Sequence, residues 1–238
     1  MGMLDFAGGV LVTASMVLLV NVFVASLEIS RIAKVALAAA IGVWIGLQVT
    51  LATAGVLGTT LPGGAPLLGL MFVLPPIAVG LAAVGSPGLR ATLMALPMPL
   101  LIGLNATRIV GLFFVLLAAS GRMDGPFPHT AGWGDVITAV LAVPLALLVA
   151  RRAAPRVAVF AWNVFGVLDL VAALVLGAMT FGSGLGELIP ASAGGEEIAS
   201  LPWSMIPTVL VPLYLIMHGI MFAQLFTARW RNAAMAPA

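Results

Sequence analysis

The sequence predicts an all-α polytopic membrane protein with seven transmembrane helices, and three observations carry that prediction. Of the 238 residues, 62% are hydrophobic and only 8% are charged, whereas a soluble domain has about 25% charged residues. Apolar runs recur at lengths that can cross a hydrocarbon core of about 30 Å. The charged residues fall mainly between these runs.

Seven stretches are long and apolar enough to span a membrane, because a spanning helix needs about 20 residues. They cover residues 8–27, 35–56, 66–84, 98–120, 134–150, 157–181 and 205–227. The connections on one side are short, so we expect one transmembrane domain over residues 1–238.

Prolines inside three of these spans predict kinks, which neighbouring helices can accommodate by satisfying the freed carbonyl groups. These prolines are Pro75 and Pro76 in the third span, Pro144 in the fifth, and Pro207 and Pro212 in the seventh. In the second span, Gly42 and Gly46 form a small-residue pattern that permits close helix packing. We interpret that pattern as a contact within the bundle.

The basic residues predict the orientation. Eight of the ten Lys and Arg residues fall on one side, namely Arg31, Lys34, Arg90, Arg151, Arg152, Arg156, Arg229 and Arg231. The positive-inside rule therefore predicts an N-outside, C-inside arrangement. Six acidic residues fall on the opposite side: Asp5, Asp124, Asp135, Glu187, Glu196 and Glu197. We interpret this asymmetry as insertion topology, with an outer vestibule that concentrates cations as the alternative.

Composition also excludes several classes of function. The sequence has no cysteine, which removes disulfides, thiolate metal sites and thiol catalysis. A sequence pI near 9.9 does not indicate nucleic-acid binding, because the net charge is only +2 and the basic residues lie at helix ends. The first apolar run lacks the basic leader of a signal peptide, so we expect it to be retained.

The predicted location of the protein is the inner or plasma membrane.

Two opposite charges near the middle of apolar spans mark the candidate site. Arg108 lies in the fourth span and Asp169 in the sixth, at matching depth. A charge at that depth costs roughly 2.5–3.5 kcal/mol on insertion scales, so it normally faces a partner or a water-filled cavity. The pair predicts a polar centre inside the bundle.

Further polar residues are predicted to join this centre in two layers. The outer layer contains Gln48, Arg108, Asp169 and Tyr214, and the inner layer contains Asn21, Asn105, Asn163 and His218. One interpretation is a binding site for a small solute or ion near the midplane. The alternative is a structural network that holds the helices together.

A metal site is a weaker candidate. The segment between the fourth and fifth spans brings together Asp124, His129 and Asp135, and histidine with carboxylates can hold a divalent cation. The spacing matches no standard site, and an ordinary turn-rich loop is the other interpretation.

Two known families with seven membrane helices do not fit the residues of this chain. A retinal protein needs a lysine in the last helix, and the only lysine here is Lys34, which excludes a rhodopsin. Sugar transporters of the SWEET type have a proline–glutamine motif and parallel repeats that this sequence lacks.

A resemblance does extend over about residues 98–227. It is carried by Arg108-Ile109, Gly121, Pro126-Phe127, Gly134-Asp135, Trp162-Asn163, Pro207, Pro212 and His218. In these positions the chain resembles a group of bacterial multi-spanning, seven-helix membrane proteins of no assigned function. Members of that group look as if they have a histidine at the position of Asn105 and a glutamate near Leu112, so this chain departs from the group at two polar positions. The resemblance implies a seven-span bundle and no activity.

Transport or binding of a small solute or ion is therefore the leading functional prediction, with Arg108 and Asp169 as its central residues. A haem-binding electron carrier is an alternative, because His218 could ligate iron. A receptor or an accessory subunit of a larger complex is another. No catalytic motif is evident, so an enzyme is the least favoured class, and the oligomeric state is not predicted.

Overall fold

The computed structural model describes residues 2–59, 61, 66–181 and 194–227. The first four helices are α1 (Met3–Ser26), α2 (Arg31–Thr53), α3 (Leu67–Gly85) and the short α4 (Pro87–Met94). The fourth span is composite, with α5 (Met98–Leu104), a 3₁₀ segment (Asn105–Gly111) and α6 (Leu112–Ala119). There follow α7 (Pro126–Ala150), α8 (Arg156–Met179), the short α9 (Gly195–Ala199), a π segment (Ile206–Leu210) and α10 (Val211–Phe226).

Seven of these helical stretches are long and apolar enough to cross a membrane, as in a multi-pass membrane protein. Six begin and end within a few residues of the predicted spans. The predicted residues Glu187, Arg229 and Arg231 lie outside the described part of the chain.

The fifth span is the exception, because α7 begins eight residues before the predicted residue 134. Gly125 precedes the helix with a positive φ of 73°, a conformation that glycine adopts without steric cost. Pro126 then occupies the first turn, where its missing N–H is not needed. The segment that was predicted to be a loop up to residue 133 is therefore helical from Pro126.

The two ends of the bundle differ in charge. At the end where α1 begins, called here the acidic end, Arg122 bridges Asp5 and Glu197, with an N–O distance of 2.8 Å to each. The Glu197 carboxylate raises the pKa of the Arg122 guanidinium above its already high value, so Arg122 stays charged. At the opposite end, called here the basic end, the Arg156 guanidinium donates to the carbonyl of Leu225.

Packing is uneven across the bundle. The fourth and seventh spans are its most buried helices, and α2 is the least buried. Gln48 is the one residue of α2 that is buried. A Cβ on Gly42 or Gly46 would meet no atom of another helix within 4 Å, so among the described residues no helix packs closely on these glycines, and the prediction of a contact within the bundle is wrong.

Candidate functional site

Arg108 lies at the centre of a buried polar cluster, and its side chain is fully excluded from solvent. Its Nε donates to Asp135 at 2.7 Å, and its Nη2 donates to Asp169 at 2.5 Å. Its Nη1 donates to the carbonyl of Gly166 and approaches His218 Nε2, both at 3.2 Å. One guanidinium thus joins the fourth span to α7, α8 and α10.

The contacts of His218 fix its tautomer. Arginine has only donors, so the Nε2 atom that faces Arg108 must be the acceptor. The proton is then on Nδ1, which donates to Asn163 Oδ1 at 2.6 Å. Asn163 Nδ2 in turn donates to the carbonyl of His218 at 3.2 Å. The imidazole is therefore neutral and has a partner at each ring nitrogen.

The backbone around Arg108 explains how one helix presents several groups to its neighbours. In a 3₁₀ helix, residues i and i+3 eclipse each other, so Asn105, Arg108 and Gly111 share one face. A Cβ on Gly111 would meet the carboxylate of Asp135. The 3₁₀ segment therefore aims this face directly at α7.

Two further glycines make room for the charged groups. A Cβ on Gly134 would overlap the Asp169 carboxylate, and a Cβ on Gly166 would lie 2.5 Å from the His218 ring and 3.2 Å from Arg108 Nη1. Because these positions have no side chain, α7 and α8 can approach the cluster closely.

Tyr214 lies beside the cluster and not within the ion pairs. Its ring centroid is 5.7 Å from the Arg108 guanidinium carbon, within the range of a cation–π interaction. Its hydroxyl lies 2.8 Å from the hydroxyl of Thr107. Thr107 was not among the predicted site residues, although it directly precedes Arg108.

The cluster does not balance in charge. Arg108 contributes one positive charge, Asp135 and Asp169 contribute two carboxylates, and His218 is neutral. A buried group of this kind retains one uncompensated negative charge, which is costly in a medium of low dielectric constant. The cluster can therefore accept one further positive charge, either a proton or a small cation.

A cavity of about 40 Å³ reaches Asp135 from the direction of the acidic end. Its other walls are apolar and include Phe114, Phe127 and Ile198. A water molecule needs about 10–15 Å³ of such space, so the cavity has room for a few waters beside the carboxylate.

On the other side of the cluster, two buried polar atoms have no hydrogen-bond partner. They are Asn105 Oδ1 and Thr138 Oγ1. Asn105 lies one turn from Arg108, and Thr138 lies one turn from Asp135, both toward the basic end. Because these two helices run antiparallel, the unpaired atoms lie at a similar depth, where a water or a cation would satisfy them.

Two predicted members of the polar layers lie elsewhere. Gln48 is fully buried, but its Nε2 contacts the sulfur of Met71 at 3.4 Å and its Oε1 has no partner. Asn21 is exposed and donates to the carbonyl of Val17 in its own helix. The predicted grouping of Gln48 and Asn21 with Arg108 is therefore wrong.

The predicted metal candidates are also separated. Asp124 and His129 are exposed, whereas Asp135 is buried against Arg108. Among the described residues, no group of three or more His, Cys, Asp or Glu side chains could hold a metal ion by itself, so a small cation at the Arg108 cluster would need further ligands, such as water. Asp135 was assigned to the outer face because the start of α7 was predicted too late, so an earlier helix start would have placed it at the depth of Arg108.

The family comparison covers the part of the chain that contains this cluster. A family model described as a domain of unknown function, DUF8737, matches residues 65–226, about two thirds of the chain. The chain belongs to this family. The matched residues run from α3 to α10 and include every cluster residue named above, while α1 and α2 lie outside them. No curated protein and no solved structure matches the chain.

Proposed function

We propose that this protein transports a small solute or ion across a membrane and couples transport to the loading of one positive charge at its buried cluster. The observation that carries the proposal is the pairing of one guanidinium, Arg108, with two carboxylates, Asp135 and Asp169. A purely structural ion pair needs one carboxylate for one guanidinium. The second carboxylate is a site for a proton or a cation.

The surroundings of the cluster support movement of that charge. The cavity at Asp135 has room for water on the side of the acidic end, and the unpaired oxygens of Asn105 and Thr138 continue the polar positions toward the basic end. The helices that present Arg108 and His218 contain a 3₁₀ and a π segment, and such irregular turns often mark hinges and functional sites.

The haem-carrier alternative has less support. Both ring nitrogens of His218 are engaged, one with Arg108 and the other with Asn163. Iron ligation would require one of these contacts to break. His129 is exposed and does not join His218 in the described core. The receptor and accessory-subunit alternative remains a prediction.

The proposed location is the inner or plasma membrane, with the acidic end outside and the basic end inside. The chain has no native cysteine, so single cysteines can be labelled without background. In intact cells, a membrane-impermeant maleimide should label Asp124→Cys and not Arg151→Cys. The opposite labelling pattern would reverse the proposed orientation.

Charge loading can be measured in proteoliposomes on a solid-supported membrane, with rapid jumps of pH or Na⁺ concentration. We expect a transient current in the native protein that is lost in Asp169→Asn and in Asp135→Asn. Glu28→Gln is the matched control, because Glu28 is exposed and far along the chain from the cluster.

The same variants separate transport from a structural role. Each Asp→Asn change removes the excess negative charge, so the thermal midpoint of unfolding should stay close to that of the native protein. A native-like current in both variants would contradict the proposal. A large loss of thermal stability in both would show instead that the two carboxylates serve to hold the bundle together.

A further inference from the structure

A second cavity lies on the side of the bundle away from Asp135. It is a groove of about 830 Å³, at the upper end of the roughly 300–1,000 Å³ typical of ligand pockets. We call it the α2–α3 groove. Its walls are almost entirely apolar and come from the end of α1 and the turn that follows it, and from α2, α3, α4 and the seventh span. Trp44 of α2 and Ala78 of α3 are among the lining residues.

The α2–α3 groove lies beside α2, whose one buried residue is Gln48. At the basic end, the Lys34 ammonium donates to the carbonyl of Ala25 at 2.6 Å and ties α2 to the end of α1. Two side-chain contacts hold α2 nearer the acidic end. Gln48 contacts Met71, and the Trp44 indole donates to the carbonyl of Thr208 at 2.9 Å. Pro212 has no N–H to offer that carbonyl in a regular helix, so Trp44 supplies the missing donor.

Basic residues are close in sequence to lining residues at the end of the groove nearest the basic end. Arg31 follows the groove residue Ile29 by two positions, and Arg90 directly follows the groove residue Leu89. Both arginines are exposed, and Lys34 lies one turn from Arg31. Glu28 is the acidic residue nearby, so these four side chains carry a net positive charge. Apolar walls below a basic rim match the two parts of an anionic phospholipid.

We propose that the α2–α3 groove binds one anionic phospholipid, with its acyl chains along the groove and its phosphate at Arg31, Lys34 and Arg90. This site is separate from the Arg108 cluster and does not depend on the proposed transport activity. A packed helix from a partner protein could fill an apolar groove, but it would not require the basic rim.

Native mass spectrometry of the detergent-purified full chain tests the headgroup contact. Phosphatidylglycerol and phosphatidylcholine with identical acyl chains are titrated separately. We expect one phosphatidylglycerol per chain, bound roughly tenfold or more tightly than phosphatidylcholine. The preference should disappear in the double variant Arg31→Ala/Arg90→Ala.

The matched control is Arg151→Ala/Arg152→Asn, which removes two basic residues from the same end of the bundle. Asparagine suits position 152, where φ is +56°. This control should keep the lipid preference. Equal binding of the two lipids in the native protein, or loss of the preference in both double variants, would overturn the proposal.

Tryptophan fluorescence tests the acyl-chain contact independently. Trp44 lines the groove, so phosphatidylglycerol with brominated chains should quench a component of the emission that is missing in Trp44→Phe. The groove-filling variant Ala78→Phe should abolish that quenching and keep the thermal midpoint. Undiminished quenching in Ala78→Phe would overturn the proposal, as would a co-purifying protein or second copy that shields Trp44 from the lipid.

Discussion

The buried polar residues of the Arg108 cluster differ from Gln48, the one buried residue of α2, in how many of their polar atoms have partners. Around Arg108, each of the three nitrogens of the guanidinium has a partner, and both ring nitrogens of His218 are engaged. In α2, the buried amide of Gln48 has one contact to a sulfur atom and an oxygen with no partner. A connected network couples four spans, whereas an isolated polar group adds little to the packing of its helix.

The difference extends to the helices themselves. The spans that carry the cluster are held by ion pairs and by glycines that allow close approach. In contrast, α2 has a single buried residue and borders an open groove. We therefore expect the cluster to belong to the most stable part of the molecule and α2 to the part that opens first.

The largest expected effect is that of Arg108→Ala. Its removal leaves the carboxylates of Asp135 and Asp169 buried without a counter-charge, and breaking a buried pair in this way costs about 3–5 kcal/mol. The measurement is the free energy of unfolding in detergent. The double variant Asp135→Asn/Asp169→Asn in the Arg108→Ala background should recover much of that loss. Failure to recover would show that Arg108 acts through packing alone.

Gly134→Ala should be the next most damaging change. Its Cβ would overlap the Asp169 carboxylate, and overpacking of this kind costs typically 1–3 kcal/mol. Gly42→Ala in α2 is the matched control, because nothing lies within 4 Å of its Cβ position. The control should be neutral or slightly stabilising, since alanine favours a helix by roughly 0.5–1 kcal/mol. Equal losses of stability at the two glycines would mean that α2 is packed as closely as the helices around the Arg108 cluster.

The spans were predictable because their signal is simple. Length and hydropathy together identify a stretch that can cross the bilayer, and this was sufficient for all seven. The start of α7 was missed because the stretch that follows Gly125 is rich in glycine and proline, which is typical of a loop. In this chain the prolines occupy the first turn of the helix, and Gly132 and Gly134 serve close packing.

The candidate site was only partly predictable. Matching depth placed Arg108, Asp169 and Tyr214 in one predicted layer and His218 in the layer below. In the structure, Arg108 contacts both Asp169 and His218, so the two predicted layers meet at its side chain. Depth did not reveal the rotation of each helix about its axis. A membrane helix is apolar on its lipid-facing side and on its core-facing side, so nothing in the sequence distinguished the inward-facing Asn163 from the exposed Asn21.

Trp44→Phe should have a moderate effect that is confined to α2. The ring is retained, but the hydrogen bond to the Thr208 carbonyl is lost, at a cost of about 1 kcal/mol. Hydrogen–deuterium exchange should become faster in α2 and stay unchanged in α7 and α8. Trp133→Phe, at a half-exposed position, is the control and should change neither. Faster exchange throughout the bundle would mean that α2 is not a separate unit of stability.

The smallest expected effect distinguishes the two kinds of buried amide most sharply. Gln48→Leu removes a polar group whose oxygen has no partner, so the free energy of unfolding should change by less than about 1 kcal/mol or increase. Asn163→Leu deletes both of its contacts with His218 and leaves the Nδ1 proton buried without an acceptor, which costs about 1–3 kcal/mol. Both substitutions replace a fully buried amide with leucine. A difference in their effects would therefore come from the hydrogen bonds that join Asn163 to His218. If Gln48→Leu were as damaging as Asn163→Leu, α2 would contribute to the core as strongly as the spans of the cluster do.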